Sequence, residues 1–318
     1  MELDWMGCLK EITGMNEEQE RLCQHGAFGV VPHADQTLFA RKKPGSVTPA
    51  LKPAHTLRLK SEPIEAALSE PPSHAASPRP LSWYGVTDTG KVREHNEDNF
   101  SLLTLGDKSL FVVADGMGGH DAGEVASRIA METVCGVVQK ENTETHDLLK
   151  LVERAVQQAN IDVQREGACT GSNMGTTLSV VLVADDAAYI ANVGDSRVYW
   201  IENGSIVQVT TDHSLVAKLV AAGKLTKENA RNHPRSNLLY RTIGNDETVI
   251  VDTFRIGLKK GGTLLLCTDG LWGEVADEDI LRVSATEAGA KAAGDRLVQM
   301  ANEHGGKDNI TAVVVKVL

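Results

Sequence analysis

The chain has 318 residues, with 43 acidic and 32 basic side chains and a formal charge of −11 at neutral pH. That balance argues against nucleic acid as a partner, because neutralising a phosphate backbone takes clustered Lys and Arg. No apolar run approaches the ~18 residues of a bilayer span, and the start "MELDWMGCLKEITGM" lacks the basic and apolar segments of a secretory signal, so no membrane association is expected.

Nine of the ten prolines precede residue 81, and residues 41–80 carry no sustained hydrophobic period. Residues 1–80 therefore read as an N-terminal extension with a Pro-rich, poorly ordered linker, and 81–318 as one globular domain, long enough to bury a full core. The extension holds 10 acidic and 9 basic side chains, so almost all the net charge belongs to the domain. A basic run from Arg41 to Lys60 reads as solvated linker. Five cysteines (Cys8, Cys23, Cys135, Cys169, Cys267) lie apart without C-x-x-C spacing. That excludes a structural zinc site or disulfide framework and points to a reducing cytoplasm.

Within the domain, strands are expected at 82–88, 98–104, 110–114, 175–184, 187–193, 196–201, 205–210, 248–256, 263–267 and 310–317, rich in Val, Ile, Leu and Thr. Short turns such as "ADD" (184–186) and "ENG" (202–204) predict antiparallel hairpins between neighbours. Helical spacing places Val125, Ile129, Val134 and Val137 on one face of 122–138, and Leu148, Leu149, Val152 and Val156 on one face of 146–165. A third helix, around 287–303, stops at Gly305-Gly306, and 277–281 "DEDIL" reads as a polar helical stretch. Runs of strands broken by paired helices imply an α+β fold, with sheets packed together and helices outside.

The chemistry lies where strands end. "SLFVVADGMGG" and "TLLLCTDGLWG" both run from a buried strand into Asp-Gly, at Asp115 and Asp269. "GGKDNITAVVV" sets Asp308 before a strand, "REHNEDNF" sets Glu97 and Asp98 at the start of one, and "NVGDSRVYW" places Asp195 in a hairpin turn. One Asp-Gly is an ordinary turn. Several carboxylates at strand mouths would repel one another unless a hard divalent cation joined them, and Mg²⁺ or Mn²⁺ accepts such an all-oxygen set. A glycine after the aspartate also lets a carbonyl approach. The phosphate-cradle alternative fails: neither G-x-x-x-x-G-K-[ST] nor G-x-G-x-x-G spacing occurs, and no G-x-S-x-G elbow is present. No cysteine has an Arg six residues on to form a cysteinyl-phosphate pair.

These segments together resemble the metal-dependent, type 2C serine/threonine protein phosphatases in their compact bacterial form. The resemblance spans 82–318. It rests on "GxxRxxNEDN" (90–99), "VVADGMGGHxxGExAS" (112–127), "GTTLS" (175–179), "ANVGDSRVY" (191–199), "DHSLV…LVAAG" (212–223), "HPRSNLLYRTIG" (233–244), "LLLCTDGLW" (264–272) and "KDNITAVVV" (307–315). It implies a β-sandwich of two antiparallel sheets flanked by helix pairs, with a metal site at one end. Asp115 would bridge two Mn²⁺ or Mg²⁺ ions, with the Gly116 carbonyl on one of them. Asp269 and Asp308 would complete the first ion's shell and Glu97 would serve the second, Asp98 holding its waters. Asp195 with Asp269 would offer a weaker third site. Arg93 would clamp the substrate phosphate through its planar fork, while a metal-bridging hydroxide attacks directly.

Animal members carry a histidine directly after Asp-Gly where this chain has Met117. His120, three residues on, reads as a loop organiser, and the proton donor stays open. Residues 211–246 resemble the family's flap, read as contacting phosphopeptide. The tryptophans (Trp5, Trp83, Trp200, Trp272) read as packing. The implied partners are phosphorylated proteins, a serine/threonine kinase or its substrates, with a monomer as the default. Two rival readings are a catalytically silent phosphoprotein binder, which would be expected to lack a ligand carboxylate, and a docking module in residues 1–40. No ligand carboxylate is missing.

Overall fold

In the computed structural model the described residues are 80–119, 121–141, 147–231 and 233–318. The expectations for residues 1–79 and for His120 lie outside them.

Strands β1 (Leu81–Asp88), β2 (Asp98–Leu105), β3 (Lys108–Gly118), β4 (Met174–Thr176), β5 (Leu178–Ala184), β6 (Ala187–Val193), β7 (Arg197–Glu202), β8 (Ser205–Gln208), β9 (Asp252–Gly257), β10 (Thr263–Cys267) and β11 (Ile310–Val317) build two sheets. One runs β1-β11-β10-β7-β8. The other runs β2-β3-β5-β6-β9, with β4 added beside the end of β3. Every described pairing is antiparallel. The helices are α1 (Ala122–Glu141), α2 (Leu148–Thr170), α3 (Leu215–Ala221), α4 (Lys227–Arg231), α5 (Asp269–Trp272), α6 (Asp277–Thr286) and α7 (Ala290–Glu303).

The sheets stack face to face and the two long helix pairs cover their outer faces, so the central strands are apolar on both sides. Side chains alternate across a strand. In β3, Leu110, Val112 and Ala114 meet α1 and α2, while Phe111 and Val113 meet the other sheet. In β10 and β11, Leu264, Leu266, Val313 and Val315 fill that same inter-sheet layer, and Leu265, Ala312 and Val314 pack under α6 and α7. This is the expected α+β sandwich flanked by helix pairs.

Several sequence expectations need correction. The hydrophobic run 175–184 is not one strand: Thr177 interrupts it, leaving β4 against β3 and β5 in the sheet interior. Asp115 is not at the tip of a strand, because β3 continues to Gly118 through its pairing with β4. The turn holding Asp195 closes no hairpin; β6 and β7 belong to different sheets, and residues 194–196 carry the chain between them. Gly194, at φ 102, makes that change of direction.

The buried stripe of α1 is Ala122, Ala126, Ala130, Val134 and Val138, with Val125, Ile129 and Val137 only part-buried beside it. Small alanines let the helix lie close to β3. The second helix begins at Leu148, where the Asp147 carboxylate caps the Lys150 amide, and runs past Gly167 to a left-handed Gly171. The last strand before β10 begins at Asp252 rather than 248.

Phe111 is fully buried between the sheets and takes the edge of Trp83 at a ring distance of 5.9 Å. Phe111→Ala should therefore lower the unfolding free energy by about 3–5 kcal/mol, read from the denaturant midpoint of the full chain. A shift under about 1 kcal/mol would mean that the inter-sheet layer is not packed as described.

Candidate metal centre

At one end of the inter-sheet layer every central strand changes from apolar to polar while keeping its alternation. Phe111 and Val113 are followed on the same face by Asp115, Phe100 is preceded by Asp98, Val313 by Thr311, and Leu266 is followed by Thr268. β2 and β3 pair so that Asp98 and Asp115 are directly opposite. Antiparallel register puts such partners about 5 Å apart, so two carboxylates of the expected site are juxtaposed by the hairpin alone.

Asp98 is 5% exposed. Its Oδ2 accepts from Thr311 Oγ1 at 2.6 Å and Thr268 Oγ1 at 2.8 Å, while its Oδ1 is buried with no protein partner. Burial pushes this carboxyl up to about 7, against the pull of the two threonines. Asp115 is held through its backbone: its N–H donates to Thr177 Oγ1 at 3.0 Å, and its carbonyl accepts from the Thr177 N–H and the Thr176 hydroxyl. Its side chain sits well above the usual carboxylate range, through burial first and then the charges of Asp98, Asp269, Asp308 and Asp195.

Asp269 opens α5 directly after β10, and burial with the Asp308 charge raises it to about 6. Asp269 Oδ1 is buried without a hydrogen-bond partner. Asp195, 4% exposed on the sheet-to-sheet crossover, is raised by burial and by Asp269. Its backbone carbonyl accepts the Trp272 indole N–H at 3.0 Å.

Glu97 flanks the site, half-buried and raised by burial. Its carbonyl accepts from the Gly116 N–H at 3.1 Å and from Ser127 Oγ. A Cβ at Gly116 would collide with the carbonyl of Gly123, so only glycine lets β3 pass so close under the start of α1. Arg93 stands at the rim with its side chain about half exposed (47%), and its Nη2 pairs with Asp308 Oδ2 at 2.7 Å.

The structure thus gathers Asp98, Asp115, Asp269 and Asp308 into one electrostatically linked group, with Asp195 and Glu97 on its margins and Arg93 facing it. Among the described residues no three acidic, histidine or cysteine side chains already stand at ligand spacing around one point. The group is a charged chamber rather than a finished coordination shell. Its chemistry nonetheless fits a hard divalent cation: the donors are all oxygen, two buried carboxylate oxygens lack partners, and the charges repel.

Sequence reasoning passed over the supports of this group. The sequence assigns Thr268 and Thr311 no role, although each lies inside a singled-out segment, "LLLCTDGLW" and "KDNITAVVV". Arg197, in the "GDSR" segment, forks onto Asp212 at 2.7 Å, donates to Tyr199 Oη at 2.7 Å and stacks 3.6 Å over Trp272. Trp272 is therefore packing, as expected, and it also braces the Asp195 turn. Residues 211–246, expected to form the flap, contain α3 and α4. Near their start the His213 N–H donates to the Gly194 carbonyl, and the Gly194 N–H donates to His213 Nδ1, each at 3.0 Å.

Residues 90–314 match the family described as Protein phosphatase 2C. The serine/threonine phosphatase stp of Listeria innocua is 39% identical over 236 residues, covering 72% of this chain and 93% of its own. The serine/threonine phosphatase Stp1 from Staphylococcus aureus superposes with a TM-score of 0.72 at 34% identity, covering 78% of this chain and all of its own. The catalytic domain of PstP, a serine/threonine protein phosphatase in complex with two manganese ions, gives 0.67 at 33% identity, covering 75% of this chain and 98% of its own.

The raised carboxyls make a prediction for the metal-free chain. An acid whose folded pKa exceeds its unfolded value contributes stability that is lost as pH rises through the folded value. In chelator, the chain should melt several degrees lower at about pH 8 than at about pH 6.5, a window that includes the Asp98 value near 7. The buried His213, held neutral by burial, acts in the opposite direction at lower pH. Mn²⁺ should raise the melting temperature most at the alkaline end. Equal melting temperatures across that window would count against mutual repulsion.

Proposed function

The chain belongs to the protein phosphatase 2C family and is a serine/threonine phosphatase of that metal-dependent class; from that premise we propose how its own residues do the work. The observation that carries the reading is the buried carboxylate group with its two partnerless oxygens, Asp98 Oδ1 and Asp269 Oδ1. Asp115, the Gly116 carbonyl, Asp269, Asp308 and Glu97 would hold two Mn²⁺ or Mg²⁺ ions, and Asp195 with Asp269 a weaker third. Bound there, the cations supply acidification of water and neutralise charge on the phosphoryl group.

Arg93 is the donor fork for the phosphate of phosphoserine or phosphothreonine. It is exposed, cationic and aimed at the acidic chamber, and phosphoryl oxygens can replace the Asp308 oxygen it now holds. Asp98, anchored through Oδ2 by two threonines, presents Oδ1 to hold or release a proton near neutrality. Asp115 and Asp269 are fixed by their backbones rather than by mobile loops, so substrate meets a preorganised site.

A covalent phosphoenzyme through cysteine is disfavoured. Burial pushes the Cys267 thiol far up, and Cys135 is also raised, whereas a reactive cysteine needs a lowered pKa. Phosphoproteins of a bacterial serine/threonine kinase pathway in the cytoplasm are the substrates this reading implies. Among the described residues no helix is long and apolar enough to cross a membrane. Residues 81–318 are proposed as the catalytic domain, with a flap at 211–246 and residues 1–80 outside the chemistry.

Hydrolysis of p-nitrophenyl phosphate by the full chain should require added Mn²⁺ or Mg²⁺, and Asp269→Asn should lower kcat by at least about 100-fold. A protein that binds Mn²⁺ yet hydrolyses neither this ester nor phosphothreonine peptides would favour a silent phosphoprotein binder. Removing residues 1–80 should leave kcat/KM on the small ester within about twofold, as expected of a self-contained domain. Loss of activity on truncation would move the domain boundary.

A further inference from the structure

Asn309 takes no part in the roles assigned above, yet its side chain is the point where the phosphate-facing loop is fastened to the rest of the site. It is 5% exposed, between Asp308 and the start of β11. Its Nδ2 donates to the carbonyls of Thr89 at 3.0 Å and His95 at 2.9 Å, and its Oδ1 accepts the Glu97 N–H at 2.8 Å. Two carbonyls on one side and an N–H on the other leave only one orientation of the amide that satisfies all three.

The loop fastened in this way has little else to hold it. Between β1 and β2 the backbone forms no helix or strand, and the side chains from Lys91 to His95 are exposed, so the loop has no core of its own. Its other ties are few: the Lys91 N–H on the Gly306 carbonyl at 2.7 Å, the Gly90 N–H on Asp88 Oδ1 at 2.8 Å, Asn96 Nδ2 on Thr87 Oγ1 at 2.9 Å, and the Arg93 pair with Asp308 at 2.7 Å. Arg93 projects from the stretch between Thr89 and His95, the two carbonyls that one amide draws together.

The same residue reaches the acidic group from its backbone. The Asn309 N–H donates to Asp308 Oδ1 at 2.9 Å, and the other oxygen of Asp308 holds Arg93. A Cβ at Gly270 would strike the Asn309 carbonyl, so the turn after Asp269 also lies directly against it. Arg93, Glu97, Asp308 and Asp269 come from three separate stretches of chain, and Asn309 touches all three stretches.

We infer that Asn309 is a positioning residue for phosphate recognition: its side-chain amide sets the place of the Arg93 loop relative to Asp308, and it acts through Arg93 rather than on the substrate itself. The inference rests on the reading of Arg93 as the phosphate clamp. A merely structural Asn would cost stability when replaced. A positioning Asn costs substrate affinity in molecules that remain folded.

The test uses the full chain with saturating Mn²⁺ and two variants. Asn309→Ala removes all three side-chain bonds. Asn309→Asp keeps an acceptor for the Glu97 N–H but turns the donor facing the two carbonyls into an acceptor. For each variant, KM for p-nitrophenyl phosphate, the inhibition constant of inorganic phosphate and the melting temperature are measured, with Mn²⁺ stoichiometry by calorimetry. Both constants should rise on the order of 10- to 100-fold, more than kcat falls, in protein that still binds wild-type amounts of Mn²⁺.

In an Arg93→Ala background the Asn309→Ala change should add little, because the group it positions is gone. Phosphate constants within about twofold of wild type in variants with lowered melting temperature would overturn the positioning role. So would effects that simply add to those of Arg93→Ala. Should Arg93→Ala alone leave the phosphate constants unchanged, the clamp reading fails and this inference with it. If Arg93→Ala weakens phosphate and the Asn309 variants do not, only the inference falls.

Discussion

Negative charge gathered where it cannot be solvated is the constraint around which this domain is arranged. Asp98, Asp115 and Asp269 are all raised, first by burial and then by neighbouring carboxylates, so ionising all of them together is unfavourable. Such a group persists only if the scaffold is rigid enough to oppose its repulsion. The rigidity comes from two sheets whose inter-sheet layer is densely apolar along its length and polar only at this end. Thr268 and Thr311 donate to Asp98 from adjacent strands of the opposite sheet, so a single carboxylate oxygen links the two sheets where they meet.

The polar end is also where the chain changes sheets. The turn at 194–196 takes it from β6 to β7, and the loop from 89 to 97 takes it from β1 to β2, each connecting strands of different sheets. Loops fixed to a rigid scaffold are where recognition residues are best placed. Arg93 and Asp195 are therefore carried on crossovers, while Asp98 and Asp115 are carried on paired strands. The first pair stands at the rim and margin of the acidic group; the second forms its floor.

Support is graded accordingly. The floor carboxylates are held by backbone register and by threonine hydroxyls. The margins depend on polar side chains reaching across longer stretches: Asn309 to the Arg93 loop, Trp272 to the Asp195 carbonyl, and His213, near the start of the 211–246 segment, to Gly194. Arg197, forked onto Asp212 and stacked on Trp272, joins the start of the 211–246 segment to the turn after Asp269. The start of the 211–246 segment is thus tied to the crossover beside Asp195.

Period and composition were sufficient for much of this. Short runs rich in Val, Ile, Leu and Thr between turn residues marked most strands, helical spacing marked the long helices, and Asp-Gly after a buried run singled out Asp115 and Asp269. All of these are local signals, set by the two- and 3.6-residue repeats and by the conformational needs of glycine. What the local pattern misjudged were the places where distant segments decide the outcome. Thr177 breaks a run that looks continuous because β4 is claimed by β3, and the turn at Asp195 looks like a hairpin because its length allows one. At the start of α1, Ala122, Ala126 and Ala130 rather than Val125 and Ile129 are buried, because β3 passes close beneath it. The sequence by itself determined which residue types could hold cations and roughly where strands would carry them. Only the tertiary structure decided that Asp98 is held by threonines of the other sheet, and that the Asn309 amide fastens the 89–97 loop beside Asp308. Those contacts span up to 220 residues of chain, and no periodicity records a hydrogen bond between residues that meet only when the sheets stack.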